Sequence, residues 1–140
     1  MDQEELNKLY DDSILQENRQ PYHYGKMPDA DLTLEAYNPI CGDQFKLFLY
    51  TDEDSIKTAY FHGYGCAVSK ASTSVLTREL EGCTIEEAKA KCRDFLNWLS
   101  EGEGAKVNAP NSWESFAAVR DFPGRLSCAQ LAWETIAKEL

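Results

Sequence analysis

The chain alternates between two hydrophobic periods, and the places where the period changes divide it into elements. Leu6, Leu9, Tyr10 and Ile14 recur at helical spacing, which predicts an amphipathic helix over Asp2 to Gln16, ended by Asn18-Arg19-Gln20-Pro21. From Asp31 to His62 the period falls to two. Leu32/Leu34/Ala36, Phe45/Leu47/Leu49 and Ile56/Thr58/Tyr60 predict three strands, separated by Asn38-Pro39 and by the acidic turn Thr51 to Ser55. Tight connections of this kind join strands as an antiparallel meander. After Gly63-Tyr64-Gly65 the helical period returns, with Val68, Ala71, Ser72, Val75, Leu76 and Leu80 on one face.

Thr84-Ile85-Glu86-Glu87 has the form of a capping box, in which a hydroxyl and a carboxylate satisfy free amides at a helix start. The helix it opens buries Ile85, Ala88, Cys92, Phe95, Leu96 and Leu99. Ser100 to Asn111 reads as a loop, Ser112 to Val119 as a short helix, and Cys128, Leu131, Ala132, Thr135, Ile136 and Leu140 as the buried stripe of a last helix with Cys128 at its start. These elements predict an α/β (α+β) fold, a small three-stranded antiparallel sheet packed by helices, as a single domain over residues 1–140.

Charge narrows the partners. With 24 acidic and 14 basic residues the formal charge is −10, so a nucleic-acid backbone is repelled. Met1-Asp2-Gln3-Glu4-Glu5 carries no basic or apolar stretch of the kind a secretory signal needs, and no run approaches the roughly 20 apolar residues of a membrane span. A cytoplasmic protein with no membrane association is expected. In that setting five cysteines point to metal binding, reactive thiols or burial rather than to a disulfide framework.

Three of the five occupy junctions between elements. Cys41-Gly42-Asp43 sits between two strands, where glycine permits a tight turn and sets a thiolate beside a carboxylate, both acceptable to zinc. Cys66 follows Gly65 where strand gives way to helix, so the helix terminus favours its thiolate. Cys128 follows Phe122-Pro123-Gly124-Arg125, which brings a fixed positive charge near a thiol. Each position also fits an ordinary turn or a small packed residue, and the spacings match no local zinc-finger or ribbon pattern. Cys92 belongs to the apolar stripe of its helix, and Cys83 would face the opposite side, so the pair is a poor shared metal site. His62 is expected to face solvent at a strand end, with a supporting role beside Cys66 as the alternative, and His23 to lie in a surface loop.

The segments Asn38-Pro39-Ile40-Cys41-Gly42-Asp43, Gly63-Tyr64-Gly65-Cys66-Ala67-Val68-Ser69-Lys70-Ala71-Ser72 and Phe122-Pro123-Gly124-Arg125-Leu126-Ser127-Cys128-Ala129-Gln130-Leu131-Ala132-Trp133 resemble the three cysteine motifs of the NifU/IscU-like proteins, and in particular the SufU branch. IscU-type scaffolds usually have a histidine immediately before the third cysteine, after a Leu-Pro-Pro-Val-Lys-like segment; Ser127 and Phe-Pro-Gly-Arg stand there in this chain. The stretch Asn97 to Val119 resembles the insertion of the SufU branch, whereas Gln16-Glu17-Asn18-Arg19 departs from the family's Asp-His-Tyr segment. The resemblance implies a zinc ion held by Cys41, Asp43, Cys66 and Cys128. It further implies acceptance of persulfide sulfur from the cysteine desulfurase SufS and relay toward a downstream SufBCD-like iron-sulfur scaffold complex. Cys41, on a glycine-flanked loop, is the expected sulfur acceptor, and Arg125 the residue expected to steady its freed thiolate. An iron-sulfur cluster scaffold and a structural zinc domain are the alternatives.

Overall fold

The computed structural model describes residues 10–102, 107 and 109–140. Most of the first expected helix, over residues 2–9, and part of the loop expected between Ser100 and Asn111 lie outside them. The described helix α1 spans Asp12–Arg19, begun by Asp11, whose carboxylate accepts from the Ile14 amide at 3.0 Å. It thus ends three residues beyond the expected Gln16.

Three antiparallel strands follow, β1 (Leu32–Asn38), β2 (Asp43–Asp52) and β3 (Ser55–Tyr64), in the order β1-β2-β3. The register opposes Leu34 to Leu47 and Leu47 to Phe61, and Ala36 to Phe45 and Phe45 to Gly63, so one face of the sheet is an apolar layer. The expected inward alternation of Ile56, Thr58 and Tyr60 fails after its first member. Tyr50 pairs with Thr58 but Thr51 pairs with Ile56, which leaves Lys57 as an extra residue. That bulge reverses the phase, so Ile56, Ala59 and Phe61 are the buried residues of β3 while Tyr60 turns to the outer face.

The inner face is covered by α2 (Ala67–Leu80) and α4 (Pro123–Glu139), and against α4 pack α3 (Ile85–Glu101) and a 3-10 helix over Asn111–Asp121. The capping box is formed, with the Glu87 amide donating to Thr84 Oγ1 at 3.1 Å and the Thr84 amide to Glu87 Oε1 at 2.9 Å. At the other end of α3, Arg120 donates to the Leu99 and Trp98 carbonyls at 3.0 and 2.7 Å, which satisfies acceptors that a helix end leaves open. Phe95 stacks on Trp133 at 3.8 Å between ring centroids, and Trp113 and Phe116 pack edge-on against Phe95. These contacts lock α3, the 3-10 helix and α4 into one core.

Helix α4 starts at Pro123, whose missing amide donor costs nothing in a first turn. Cys128 is therefore its sixth residue rather than its start. His23 also differs from expectation. It is half-buried between the Tyr22 and Tyr60 rings, and its Nδ1 lies 3.0 Å from Glu81 and 3.1 Å from the Ala59 carbonyl. His62 stays on the outer face, beside Tyr24. Among the described residues no helix is long and apolar enough to cross a membrane.

Candidate metal centre

At one end of the sheet three connections converge. The first is the loop between β1 and β2, where the buried side chain of Asn38 accepts from the Ile40 amide at 3.1 Å and the Asn38 carbonyl accepts from the Gly42 amide at 2.7 Å. Gly42 has φ +77°, a conformation that glycine adopts without the cost of a Cβ. This turn leaves Ile40 and Cys41 exposed and returns the chain to β2 at Asp43. Asp43 has the same parity along β2 as Phe45 and Leu47, so its carboxylate points into the protein and is only 2% exposed.

The second connection joins β3 to α2. A Cβ on Gly65 would meet Asp43 Oδ1 at 2.7 Å and Ser69 Oγ at 2.4 Å, so glycine here lets the backbone come close to the carboxylate. Asp43 Oδ1 accepts from the Cys66 amide at 3.1 Å. Cys66 is the N-cap of α2, its sulfur accepting from the Ser69 amide at 3.4 Å with Ser69 Oγ 3.6 Å away. The third is the N-terminal part of α4, from whose second turn the buried Cys128 thiol reaches to 3.7 Å from Cys41 Sγ.

Donor atoms of Cys41, Asp43 and Cys128 all lie within 4.8 Å of one another, and among the described residues this is the one group of three or more such side chains. Cys66 stands outside that trio, held by the contacts of its amide with Asp43 and of its sulfur with Ser69. Asp43 divides its two oxygens. Oδ1 holds the Cys66 amide, whereas Oδ2 is buried with no hydrogen-bond partner among the described residues. An orphaned carboxylate oxygen inside a protein is costly, and a cation is the partner that its charge calls for. Sulfur and oxygen donors in this number are what zinc prefers, so the residues present fit that ion.

The thiols share their protons unevenly. The hydrogen bond from Cys128 brings the Cys66 thiol down to about 5, against the opposing effect of burial and with help from the Ser69 amide. The same bond, with burial and the Asp43 carboxylate, pushes Cys128 up. Burial disfavours the charge of Arg125, but Tyr10, Cys66 and Cys128 outweigh it and hold the guanidinium above its ordinary value. Arg125 thus stands as a fixed cation beside a site rich in anions.

The structure brings Cys41, Asp43, Cys66, Cys128 and Arg125 to one place, while Cys83, Cys92 and both histidines lie elsewhere. Two contributors were not singled out as such from the sequence. Ser69 supports the Cys66 sulfur, and its position three residues after an N-cap is the signal that could have revealed it; Gly65 was noted only as a helix-start neighbour.

Comparison with known proteins agrees with this arrangement. The NifU-like N terminal domain family matches residues 9–129. The chain is similar to the "Iron-sulfur cluster assembly scaffold protein IscU" of Streptococcus pyogenes, at 32% identity over 96% of this chain and 84% of that one. It is equally similar to the "Zinc-dependent sulfurtransferase SufU" of Bacillus subtilis, at 31% over 95% and 90%. A crystal structure named FiSufU, from Fervidobacterium islandicum AW-1, superposes with a TM-score of 0.84 at 30% identity, covering 93% of this chain and 95% of that one. A NifU-like protein from Brucella abortus shares the fold, with a TM-score of 0.83 at 22% identity over 95% and 92%. By the family match and these relatives, the chain belongs to the NifU-like N-terminal domain family.

Proposed function

We propose that this protein, as one domain over residues 1–140, is a cytoplasmic zinc-dependent sulfurtransferase of iron-sulfur cluster assembly that takes persulfide sulfur from a cysteine desulfurase of the SufS kind. Cys41, Asp43, Cys66 and Cys128 hold the zinc ion, and a SufBCD-like scaffold complex receives the sulfur. The observation that carries the reading is the exposure of one donor among buried ones. Cys41 is open to solvent on a loop, whereas Asp43 and Cys128 are buried and Cys66 is fastened at a helix start. A donor that a second protein can reach is what a relay needs. The name of the Bacillus subtilis relative, a zinc-dependent sulfurtransferase, supports the same activity.

When bound, zinc keeps its sulfur ligands deprotonated at neutral pH. The Cys41 thiolate attacks the outer sulfur of the desulfurase persulfide. A sulfur–sulfur bond forms on Cys41 while the bond between the transferred sulfur and the desulfurase cysteine breaks, and that cysteine leaves as a thiolate. The product is a Cys41 persulfide, and no outside oxidant or reductant enters the balance. Asp43 and Cys66 remain tied to each other through the Cys66 amide, so the frame of the site keeps its shape while the loop moves. Arg125 supplies positive charge to the sulfurs. Arg125→Ala is expected to slow sulfur acceptance by roughly tenfold, the scale of one modest charge interaction of about 1.4 kcal/mol, with zinc content unchanged. A wild-type rate in that variant would remove Arg125 from the mechanism.

The equal similarity to a protein named as an IscU scaffold favours a second reading, in which the same donors carry an iron-sulfur cluster. A third leaves the zinc purely structural. Cys41→Ser separates them. The proposed function predicts a folded protein that no longer accepts sulfur, and a structural site predicts a matching loss of stability. A scaffold predicts that the wild-type chain turns brown on anaerobic reconstitution with iron and sulfide.

A further inference from the structure

A second feature lies on the outer face of the sheet, away from the metal donors. There the segment after Tyr24 crosses the strands, and between it and β2 and β3 runs a groove of about 610 Å³. Its walls include Lys26, Pro28, Lys46, Phe48, His62 and Tyr64, and among the described residues no carboxylate lines it. In a chain with 24 acidic residues among 140, a groove without one is a local reversal of charge. Among the described residues neither Lys26 nor Lys46 has a carboxylate within 4.0 Å. Glu35 faces Lys46 across the strands but accepts from Gln44 Nε2 at 2.9 Å, and Asp29 and Asp31 accept from Tyr50 and Thr51. These carboxylates accept hydrogen bonds from neutral groups and none pairs with either lysine. Beyond the groove's own lining, Lys70 lies 4.8 Å from the centre of the Tyr24 ring, whose centre is 4.8 Å from that of the His62 ring.

We propose that this groove is a docking site for an acidic segment of a partner protein that carries an aromatic side chain, with Lys26 and Lys46 meeting its carboxylates and Phe48 and Tyr64 its ring. Charge complementarity selects the occupant: anything acidic is repelled by the rest of the surface and attracted here. The cations stand apart on a loop and a strand, with no helix terminus or nest of amides converging between them, so they suit carboxylates spaced along a peptide better than a single phosphate. The lining of the groove includes Tyr64, two residues before Cys66 along the chain. The proposal does not depend on sulfur transfer.

The test is an NMR titration of the zinc-loaded, nitrogen-15-labelled full chain with the peptide acetyl-Asp-Glu-Phe-Glu-Asp-amide, and with a control in which lysines replace the acids. Saturable shifts at the amides of Lys26, Lys46, Gly63 and Tyr64 with the acidic peptide alone are expected. Lys26→Glu/Lys46→Glu should weaken binding at least roughly tenfold, and Lys26→Gln/Lys46→Gln by a smaller factor, with the remaining spectrum unchanged. Absence of saturable shifts, shifts centred elsewhere, or tighter binding of inorganic phosphate at the same amides would each overturn the proposal.

Discussion

The molecule contains two sets of cysteines, and they differ in almost everything except residue type. Cys41, Cys66 and Cys128 meet where two loops and a helix converge, with a buried carboxylate, a helix N-terminus and a guanidinium among them. Cys83 and Cys92 lie near the connection between α2 and α3. There the Cys83 thiol donates to the Glu79 carbonyl at 3.2 Å, and Cys92 is fully buried, its thiol pushed up by burial and by the nearby Glu79 and Cys83. In the first environment the Cys66 thiol is brought down to about 5 while that of Cys128 is pushed up, whereas in the second burial keeps the proton on Cys92. Reactivity is a property of the donors and charges around a thiol, and here the fold supplies them at one end only.

The strongest contrast concerns the metal. Under the proposed four-donor assignment, zinc at a free concentration a thousandfold above its Kd should stabilise the wild-type protein by about 4 kcal/mol, because a site assembled by the fold would bind it in the folded state alone. Asp43→Ala and Cys128→Ser should abolish that gain and the bound zinc together, as read by thermal melting and elemental analysis. Retention of one equivalent of zinc in either variant would break the four-donor assignment. The second contrast is chemical. In metal-free protein at pH 7, iodoacetamide should alkylate Cys66 at least roughly a hundredfold faster than Cys92, because only the first is ionised. Cys66 is lowered to about 5, so its rate should be flat above that value and fall as the pH drops through it. Equal rates, followed by peptide mapping, would remove the electrostatic distinction. The smallest effect is expected at the other end. Cys92→Ala should cost about 1–2 kcal/mol through a small cavity and leave zinc content and sulfur acceptance at wild-type levels.

The two ends were unequally legible in the sequence. Cys92 could be placed in the core because it falls on a stripe with Ile85, Ala88, Phe95 and Leu99, and the capping box announced the start of that helix. Periodicity is local, and it serves well wherever burial follows the chain. The candidate metal donors are brought together by tertiary structure, over 87 residues from Cys41 to Cys128, which no local spacing encodes. Their grouping came from the resemblance of three motifs. Residue patterning also missed the bulge at Lys57, because the alternation of Ile56, Thr58 and Tyr60 is a legitimate strand pattern until pairing with β2 inserts the extra residue. The environment of His23 escaped for a related reason. Its partners Glu81 and Tyr60 lie far along the chain, and nothing local announces them.

The most direct test of the account is to incubate zinc-loaded protein with a cysteine desulfurase and L-cysteine, record native and denatured mass spectra, and locate added sulfur by peptide mapping. The account predicts one zinc per chain and one added sulfur, carried on Cys41. Bound zinc with no added sulfur in the presence of a cognate desulfurase, or sulfur carried on Cys83 or Cys92 instead, would contradict it.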